Sequence, residues 1–108
     1  MTDFNKYPHV FSPIKVGTMT LKNRIVFAPM ICCLETPSGE VTSEYIEWIA
    51  QQARTGASLI TIGGTSIDHE TGDDFEGEID VTTDKNLIGL KRMADEAHYR
   101  GAKLSIEL

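Results

Sequence analysis

Only a few residues of this sequence have the types and spacing that catalysis, thiol chemistry or metal binding requires. Cys32 and Cys33 are adjacent and are the only two cysteines in 108 residues. Neighbouring cysteines rarely pair because the ring is strained, and two cysteines make neither a disulfide framework nor a four-ligand metal site. His69 lies between two acidic residues but lacks a second, well-spaced set of ligands. We therefore expect free thiols and predict no metal site.

Glu107 is the other residue whose position suggests chemistry. Residues 103–108 alternate in polarity, so Ser105 and Glu107 share one face of a strand while Leu104 and Ile106 share the other. One of those faces must point into the protein, and a buried carboxylate needs a partner. A lysine or arginine from another part of the protein is one such partner.

The composition excludes several classes of protein. The sequence is 41% hydrophobic and 24% charged, which is typical of a globular soluble domain rather than a disordered or membrane-spanning chain. Sixteen acidic and ten basic residues give a formal net charge of −6, with no basic cluster for nucleic acid. The first nine residues have neither a basic start nor an apolar core, so a cytoplasmic location is expected, with no nucleic-acid or membrane partner.

The hydrophobic pattern predicts a hairpin followed by strands that alternate with helices. Apolar residues alternate on both sides of Gly17-Thr18, as in a two-residue hairpin turn. In the later segments, apolar residues recur at strand or helix spacing, and each segment is bounded by a glycine or by a residue that can cap a helix. The predicted elements are a hairpin over 11–23, strands over 24–30, 58–64 and 103–108, and helices over 43–55 and from 83 or 84 to 100.

Three details of this pattern concern the loops and the first strand. The unbroken apolar run before Pro29 predicts a strand buried on both faces, with the proline where the ladder ends. Residues 31–41 form a longer loop, of the kind that often carries function. Residues 65–83, together with Asp84, hold eight of the sixteen acidic residues and are interpreted as a solvated loop, with a short turn near 75–79.

Alternating strands and helices of this length predict parallel strands joined by right-handed crossovers. A doubly wound sheet and a (β/α)₈ barrel both begin in this way. No glycine-rich phosphate fingerprint follows the first strand, so the barrel is favoured. Such barrels need roughly 250 residues. We therefore expect residues 1–10 to be a tail and residues 11–108 to be the incomplete N-terminal part of an α/β barrel.

Several segments in this order resemble the start of the old yellow enzyme family, the FMN-dependent NAD(P)H:flavin oxidoreductases. The similarity continues through both predicted helices and covers almost the whole chain from Phe11. The segments that carry it are Phe11-Ser12-Pro13-Ile14, Leu21-Lys22-Asn23-Arg24, Ala28-Pro29-Met30, residues 59–64, residues 89–94 and residues 101–108.

The resemblance implies that FMN lies across the C-terminal ends of the barrel strands. Hydride then passes from NADH or NADPH to flavin N5 and on to an electron-poor C=C bond of a small unsaturated substrate. The residues implied as cofactor contacts are Pro29, Met30, Ile31, Gly63, Gly64 and Glu107. Without the resemblance, Gly63-Gly64 is equally consistent with a simple turn after a strand.

Two positions depart from the family pattern. Glu107 stands where the family commonly has a glutamine that bonds the pyrimidine edge of the flavin, so it either acts in protonated form as an amide would or lowers the flavin potential. Ile31 stands where members often have a threonine or cysteine. Cys33 is displaced from that position by two residues, and either lines the substrate pocket or is a small buried hydrophobe.

The resemblance also sets the expected function and its alternatives. The Gly63-Gly64 pair favours the larger enoate and dienoyl-CoA reductase-like members, which can carry a 4Fe-4S cluster and FAD in a C-terminal part. The catalytic residues of the family are expected beyond Leu108, so the 108-residue chain alone should be inactive, and its open barrel edge should favour association or a homo-oligomer. The alternatives are a non-catalytic truncated fragment or interaction module, and an unrelated phosphate-binding barrel such as an aldolase.

Overall fold

A computed structural model describes residues 5–72 and 77–108. Its elements follow the predicted order of a hairpin, a strand, and then alternating helices and strands. No helix in these two ranges is long and apolar enough to cross a membrane. The strands are β1 (Ile14–Val16), β2 (Met19–Leu21), β3 (Val26–Met30), β4 (Leu59–Ile62), β5 (Thr65–Ser66), β6 (Ile79–Asp80) and β7 (Lys103–Ile106), and the helices are α1 (Ser43–Arg54) and α2 (Leu87–Tyr99), the latter preceded by a 3₁₀ turn over Asp84–Asn86.

The main sheet has three parallel strands in the order β3-β4-β7. Each neighbouring pair is joined through a helix, which is the arrangement predicted from the alternating pattern. The hairpin of β1 and β2 forms a separate antiparallel pair, and Gly17 in its turn has a φ of 60°. A third, short sheet pairs β5 with β6 in parallel.

Both helices pack on one face of the main sheet and form the hydrophobic core there. Ile60 and Ile62 of β4 point into this core and are completely buried. The sequence offers Thr42 or Ser43 as the cap of α1, and Thr42 takes this role by accepting a hydrogen bond from the backbone N–H of Tyr45 at 3.1 Å. The Trp48 ring meets Phe27 of β3 edge to face at 5.3 Å. The first helix and its contact with the sheet are therefore fixed by capping and by aromatic packing.

Lys22 and Asn23, at the exit of the hairpin, bind the C-terminal ends of both helices. Asn23 Nδ2 donates to the Gly56 carbonyl at 2.7 Å, and Lys22 Nζ donates to the Arg100 carbonyl at 3.0 Å. Helix C-termini leave carbonyl groups without intrahelical donors, and these two side chains supply the missing bonds. The hairpin is thereby held at the N-terminal end of the parallel strands, opposite the end where their loops meet.

Strand β3 differs from its prediction in two ways. Its side chains are mostly exposed rather than buried on both faces, because β3 is an edge strand of the three-stranded sheet. Pro29 also lies within the strand, not at its end. The register shifts between Phe27 and Met30, and a bulge of this kind accommodates a residue that has no N–H to donate to the ladder.

The described part of the acidic stretch differs from the solvated loop that its composition predicts. Thr65, Ser66, Glu78, Ile79 and Asp80 are buried and form or flank the β5–β6 sheet. Residues 75 and 76 of the predicted turn near 75–79 lie outside the described residues, while Ile79 belongs to β6. Pairing with β5 explains the difference, because it buries the C-terminal part of the stretch against the core.

Candidate functional site

The C-terminal ends of β3, β4 and β7 lie side by side and define the candidate site. The ladder of β4 and β7 extends one residue beyond β7, since the Glu107 N–H donates to the Ile62 carbonyl at 3.0 Å. On the β3 side, a Cβ atom added at Gly63 would lie 2.5 Å from the carbonyl carbon of Met30. Only glycine permits so close an approach between these two strand ends.

The face of the sheet that leads to this site is the one opposite the helices. There the hydroxyl groups of Thr61 and Ser105 form a hydrogen bond of 2.6 Å between β4 and β7. Strand alternation places Gly63 and Glu107 on the same face, one step further along each strand. In a (β/α)₈ barrel the helices cover the outside, so this face corresponds to the barrel interior.

A cleft of about 210 Å³ opens at this edge of the sheet. It brings together three of the residues predicted as cofactor contacts, Ile31, Gly64 and Glu107. Pro29, Met30 and Gly63 do not line the cleft, but Met30 and Gly63 adjoin it through the close approach of their backbones. The described residues that line it are Ile31, Gly64, Thr65, Gly72, Glu78, Glu107 and Leu108.

Glu107 lies at the rim of this cleft and is exposed. Among the described residues β7 is an edge strand, so no neighbouring strand covers this side of Glu107. The burial of its carboxylate inside a complete barrel stays a prediction. Within the described ranges, no side chain forms an ion pair or hydrogen bond with the Glu107 carboxylate. Its carboxylate is available to a ligand at the strand ends.

Glu78 is a second carboxylate in the cleft, and sequence reasoning missed it. It immediately precedes β6, and its side chain is folded towards Gly64, so that Oε1 would lie 3.3 Å from a Cβ added there. The residue is only 7% exposed. In the sequence it is one of eight closely spaced acidic residues, and the pairing of Ile79 with Thr65 that buries it has no strong sequence signal.

Asp80 and Asn86 hold the loops around the cleft in place. The buried Asp80 carboxylate accepts hydrogen bonds from Lys85 Nζ at 2.6 Å and from the Thr82 N–H at 2.8 Å. Burial by itself raises the pKa of Asp80, but the bonds from Lys85 and Thr82 outweigh it and hold the pKa well below its usual range. The amide of Asn86 donates to the carbonyls of Gly39 and Asp80, both at 2.7 Å, and so joins the loop after β3 to β6.

The two cysteines lie in the loop after β3, away from the cleft. Cys32 Sγ donates to the Met30 carbonyl at 3.3 Å, and burial raises the pKa of its thiol. Cys33 is exposed, has a φ of 53°, and lines a separate pocket of about 330 Å³ with Glu35, Pro37 and Gly77. Its proposed place in a substrate pocket is untested, and the alternative of a small buried hydrophobe does not apply.

Parallel strands with helices on one face, and a cleft at their C-terminal ends, define an α/β barrel segment. Residues 9–108 match the NADH:flavin oxidoreductase / NADH oxidase family. The chain belongs to this family, and its fold is that of the (β/α)₈ barrels of the old yellow enzymes.

Individual relatives agree with this assignment. The chain is 41% identical over 99 residues to a metal reductase of Desulforamulus reducens, covering 92% of this chain and 14% of the relative. A 2-naphthoyl-CoA reductase structure superposes with a TM-score of 0.88 at 26% identity, over 94% of this chain and 16% of that one. The old yellow enzyme from Pichia sp. AKU4542 gives a TM-score of 0.82 at 28% identity, over 91% and 25% of the two chains. The chain thus spans a quarter or less of these relatives.

Proposed function

We propose that this chain is the N-terminal part of an FMN-dependent oxidoreductase of the ene or enoate reductase type. Such an enzyme passes hydride from NADH or NADPH, through the flavin, to an activated C=C bond of a small unsaturated substrate. The observation that carries the proposal is the meeting of Met30, Ile31, Gly63, Gly64 and Glu107 at the C-terminal ends of adjacent parallel strands. These are positions at which barrel enzymes hold their ligands.

The residues at this edge fit a flat, largely apolar ring with a polar rim. Met30 is 49% exposed and Ile31 is 41% exposed, although both are large and apolar. Gly63 and Gly64 present backbone without side chains beside them, which allows a planar group to approach. Glu107 provides a hydrogen-bond acceptor at one end of this surface.

The proposed roles of these residues follow from their chemistry. Pro29, Met30 and Ile31 form one side of the ring site and keep water from it, while Gly63 and Gly64 leave room for the ring. The Glu107 carboxylate accepts an N–H of the pyrimidine edge and thereby orients it. FMN, when bound, supplies the hydride acceptor and donor, and the nicotinamide and substrate sites are proposed to lie in sequence outside residues 1–108.

The test is an absorption spectrum of the purified protein that contains this chain, followed by identification of the released flavin. We expect a flavin band that NADH or NADPH bleaches under anaerobic conditions and that an activated alkene restores. A protein that is colourless and cannot be reconstituted with FMN would refute the proposal. The 108-residue chain alone serves as a matched control, for which no alkene reduction is expected.

A second candidate acceptor is a metal ion. The observation that favours it is the 41% identity to the metal reductase of Desulforamulus reducens, which exceeds the identities to the two structures described above. In this case the same reduced protein would be reoxidised by a soluble ferric chelate and not by an alkene. Stopped-flow reoxidation with each acceptor separates the two candidates.

The exposed edges of the sheet support a further part of the proposal. Strands β3 and β7 are both edge strands in the described residues, and unpaired edges promote association. We propose that the 108-residue chain by itself forms oligomers through these edges. Light scattering at several concentrations tests this, and a monomer at every concentration would contradict it.

A further inference from the structure

The acidic cleft is lined by a largely buried glutamate whose carboxylate opens to the cleft and has no partner among the described residues. Glu78 is more than nine-tenths buried, yet none of residues 5–72 and 77–108 donates a hydrogen bond to its carboxylate or pairs with it. Its oxygens remain accessible through the cleft that it lines. A carboxylate that is largely surrounded by protein and open only to a small cleft is stabilised by a donor or a positive charge that enters the cleft.

The surroundings of Glu78 indicate the chemistry of the missing partner. Glu107 stands at the rim of the same cleft, so two carboxylates face one small space. None of the seven lining residues is basic. Ile31 and Leu108 add apolar surface, and a volume of about 210 Å³ limits the occupant to a small group.

From these observations we infer that the cleft binds a small cationic group with N–H donors, an alkylammonium or guanidinium ion. Such a group offers two or more donors to the carboxylates, and charge-assisted hydrogen bonds of this kind are the strong ones. Glu78 binds it at the buried end and Glu107 at the rim. The inference extends the proposed function, because Ile31, Gly64 and Glu107 are also proposed to contact FMN.

Gly64 provides a local reporter for the experiment, because it lines the same cleft as Glu78 and faces its carboxylate. The ¹⁵N-labelled protein is titrated with millimolar guanidinium or methylammonium chloride at constant ionic strength, and the Gly64 amide shift is followed. We expect a saturable shift. Tetramethylammonium, which carries the same charge but no N–H donor, should give none; an equal saturable shift with it would overturn the inference.

Matched variants assign the binding to Glu78. Glu78→Gln should weaken guanidinium binding about tenfold or more, since one charge-assisted hydrogen bond is lost. Glu70→Gln removes an exposed carboxylate outside the cleft and should leave binding unchanged. If Glu78→Gln fails to fold, Gly64→Ala is the second test, because its methyl group would lie 3.3 Å from Oε1 and narrow the site. The inference is overturned if Glu78→Gln folds and binds guanidinium unchanged, or if Glu78→Gln does not fold and a folded Gly64→Ala binds it unchanged.

The cation can come from a free small molecule or from a basic side chain of a longer protein that contains this chain. Guanidinium binding to both the 108-residue chain and the longer protein assigns it to a small molecule. Binding to the short chain alone assigns it to a side chain. FMN content is measured in the longer protein. Cation binding to the short chain with no FMN in the longer protein refutes only the proposed flavin site, and FMN in the longer protein with no cation binding to either chain refutes only this inference.

Discussion

Asn23 donates a hydrogen bond from Nδ2 to the Gly56 carbonyl, 33 residues further along the chain. Its Oδ1 accepts the N–H of Ile25 at 3.0 Å, and its own carbonyl accepts the Ser58 hydroxyl at 2.8 Å. The side chain and the backbone carbonyl of this one buried residue therefore join the end of the hairpin, the end of α1 and the start of β4.

Replacing Asn23 with alanine should lower the free energy of unfolding by roughly 1–3 kcal/mol, because two part-buried backbone groups lose hydrogen bonds that contribute about 0.5–1.5 kcal/mol each. Urea denaturation measures the change. Lys22→Ala removes the neighbouring bond to Arg100, which is exposed, and should cost less than about 1 kcal/mol. Equal losses in the two variants would contradict the role assigned to Asn23.

Asp80 should make stability depend on acid pH. Because its pKa in the folded state is depressed, its stabilising effect is complete above the unfolded pKa of about 3.9 and is lost as the pH falls towards the folded pKa. Asp80→Asn should therefore lower the free energy of unfolding at pH 7, by about 2 kcal/mol, and should flatten its decline below about pH 4.

Urea denaturation at a series of pH values tests the Asp80 prediction. Asp95→Asn is the matched control, since Asp95 is exposed and pairs with Lys91 on the surface of α2. The Asp95 variant should keep the pH dependence of the original protein. The prediction is refuted if Asp80→Asn shows the same decline below pH 4 as the control.

The Glu107→Gln variant tests the charge at the proposed flavin site. Reduction adds negative charge to a flavin, and a nearby carboxylate opposes it. We expect the variant to bind FMN with a reduction potential that is higher by roughly 30 mV, which corresponds to about 1.4 kcal/mol for a two-electron couple. Dye-equilibrium titration measures the potential, and Glu70→Gln is the control with no expected change. A potential that is unchanged or lower in Glu107→Gln would place the Glu107 charge away from the ring.

The two adjacent cysteines should differ in reactivity. The thiolate is the reactive form, and burial raises the pKa of Cys32, whereas Cys33 is exposed. Iodoacetamide should therefore modify Cys33 first, as peptide mass spectrometry can show. The fast phase should vanish in Cys33→Ser and persist in Cys32→Ser; its survival in Cys33→Ser would contradict the assignment.

Much of the fold could be predicted because its signals are local. The glycine turn at Gly17, the cap at Thr42 and the spacing of apolar residues in α1 and α2 each act within a few residues, and all appear at the expected positions. The β5–β6 sheet could not be predicted. Each of its strands has only two residues, and the pairing of Thr65 with Ile79 depends on contacts across a long acidic segment.

The residues of the candidate site could likewise be predicted only where the sequence signal is local. Glu107 could be selected because strand alternation gives it a face, but its exposure depends on β7 being a sheet edge. Glu78 could not be distinguished from its acidic neighbours, because its burial follows from the β5–β6 pairing rather than from any local pattern. The positive φ of Cys33 is likewise set by the loop around it and not by its residue type.

The two bonds from Lys22 and Asn23 to the helix ends have a consequence for the order of folding during synthesis. Asn23 must wait for Gly56 to leave the ribosome, and Lys22 must wait for Arg100, 78 residues later. Contacts between distant positions form late because the chain between them must first be ordered. The hairpin is therefore made before both helices, but its bonds to them are completed only after α2 has been made.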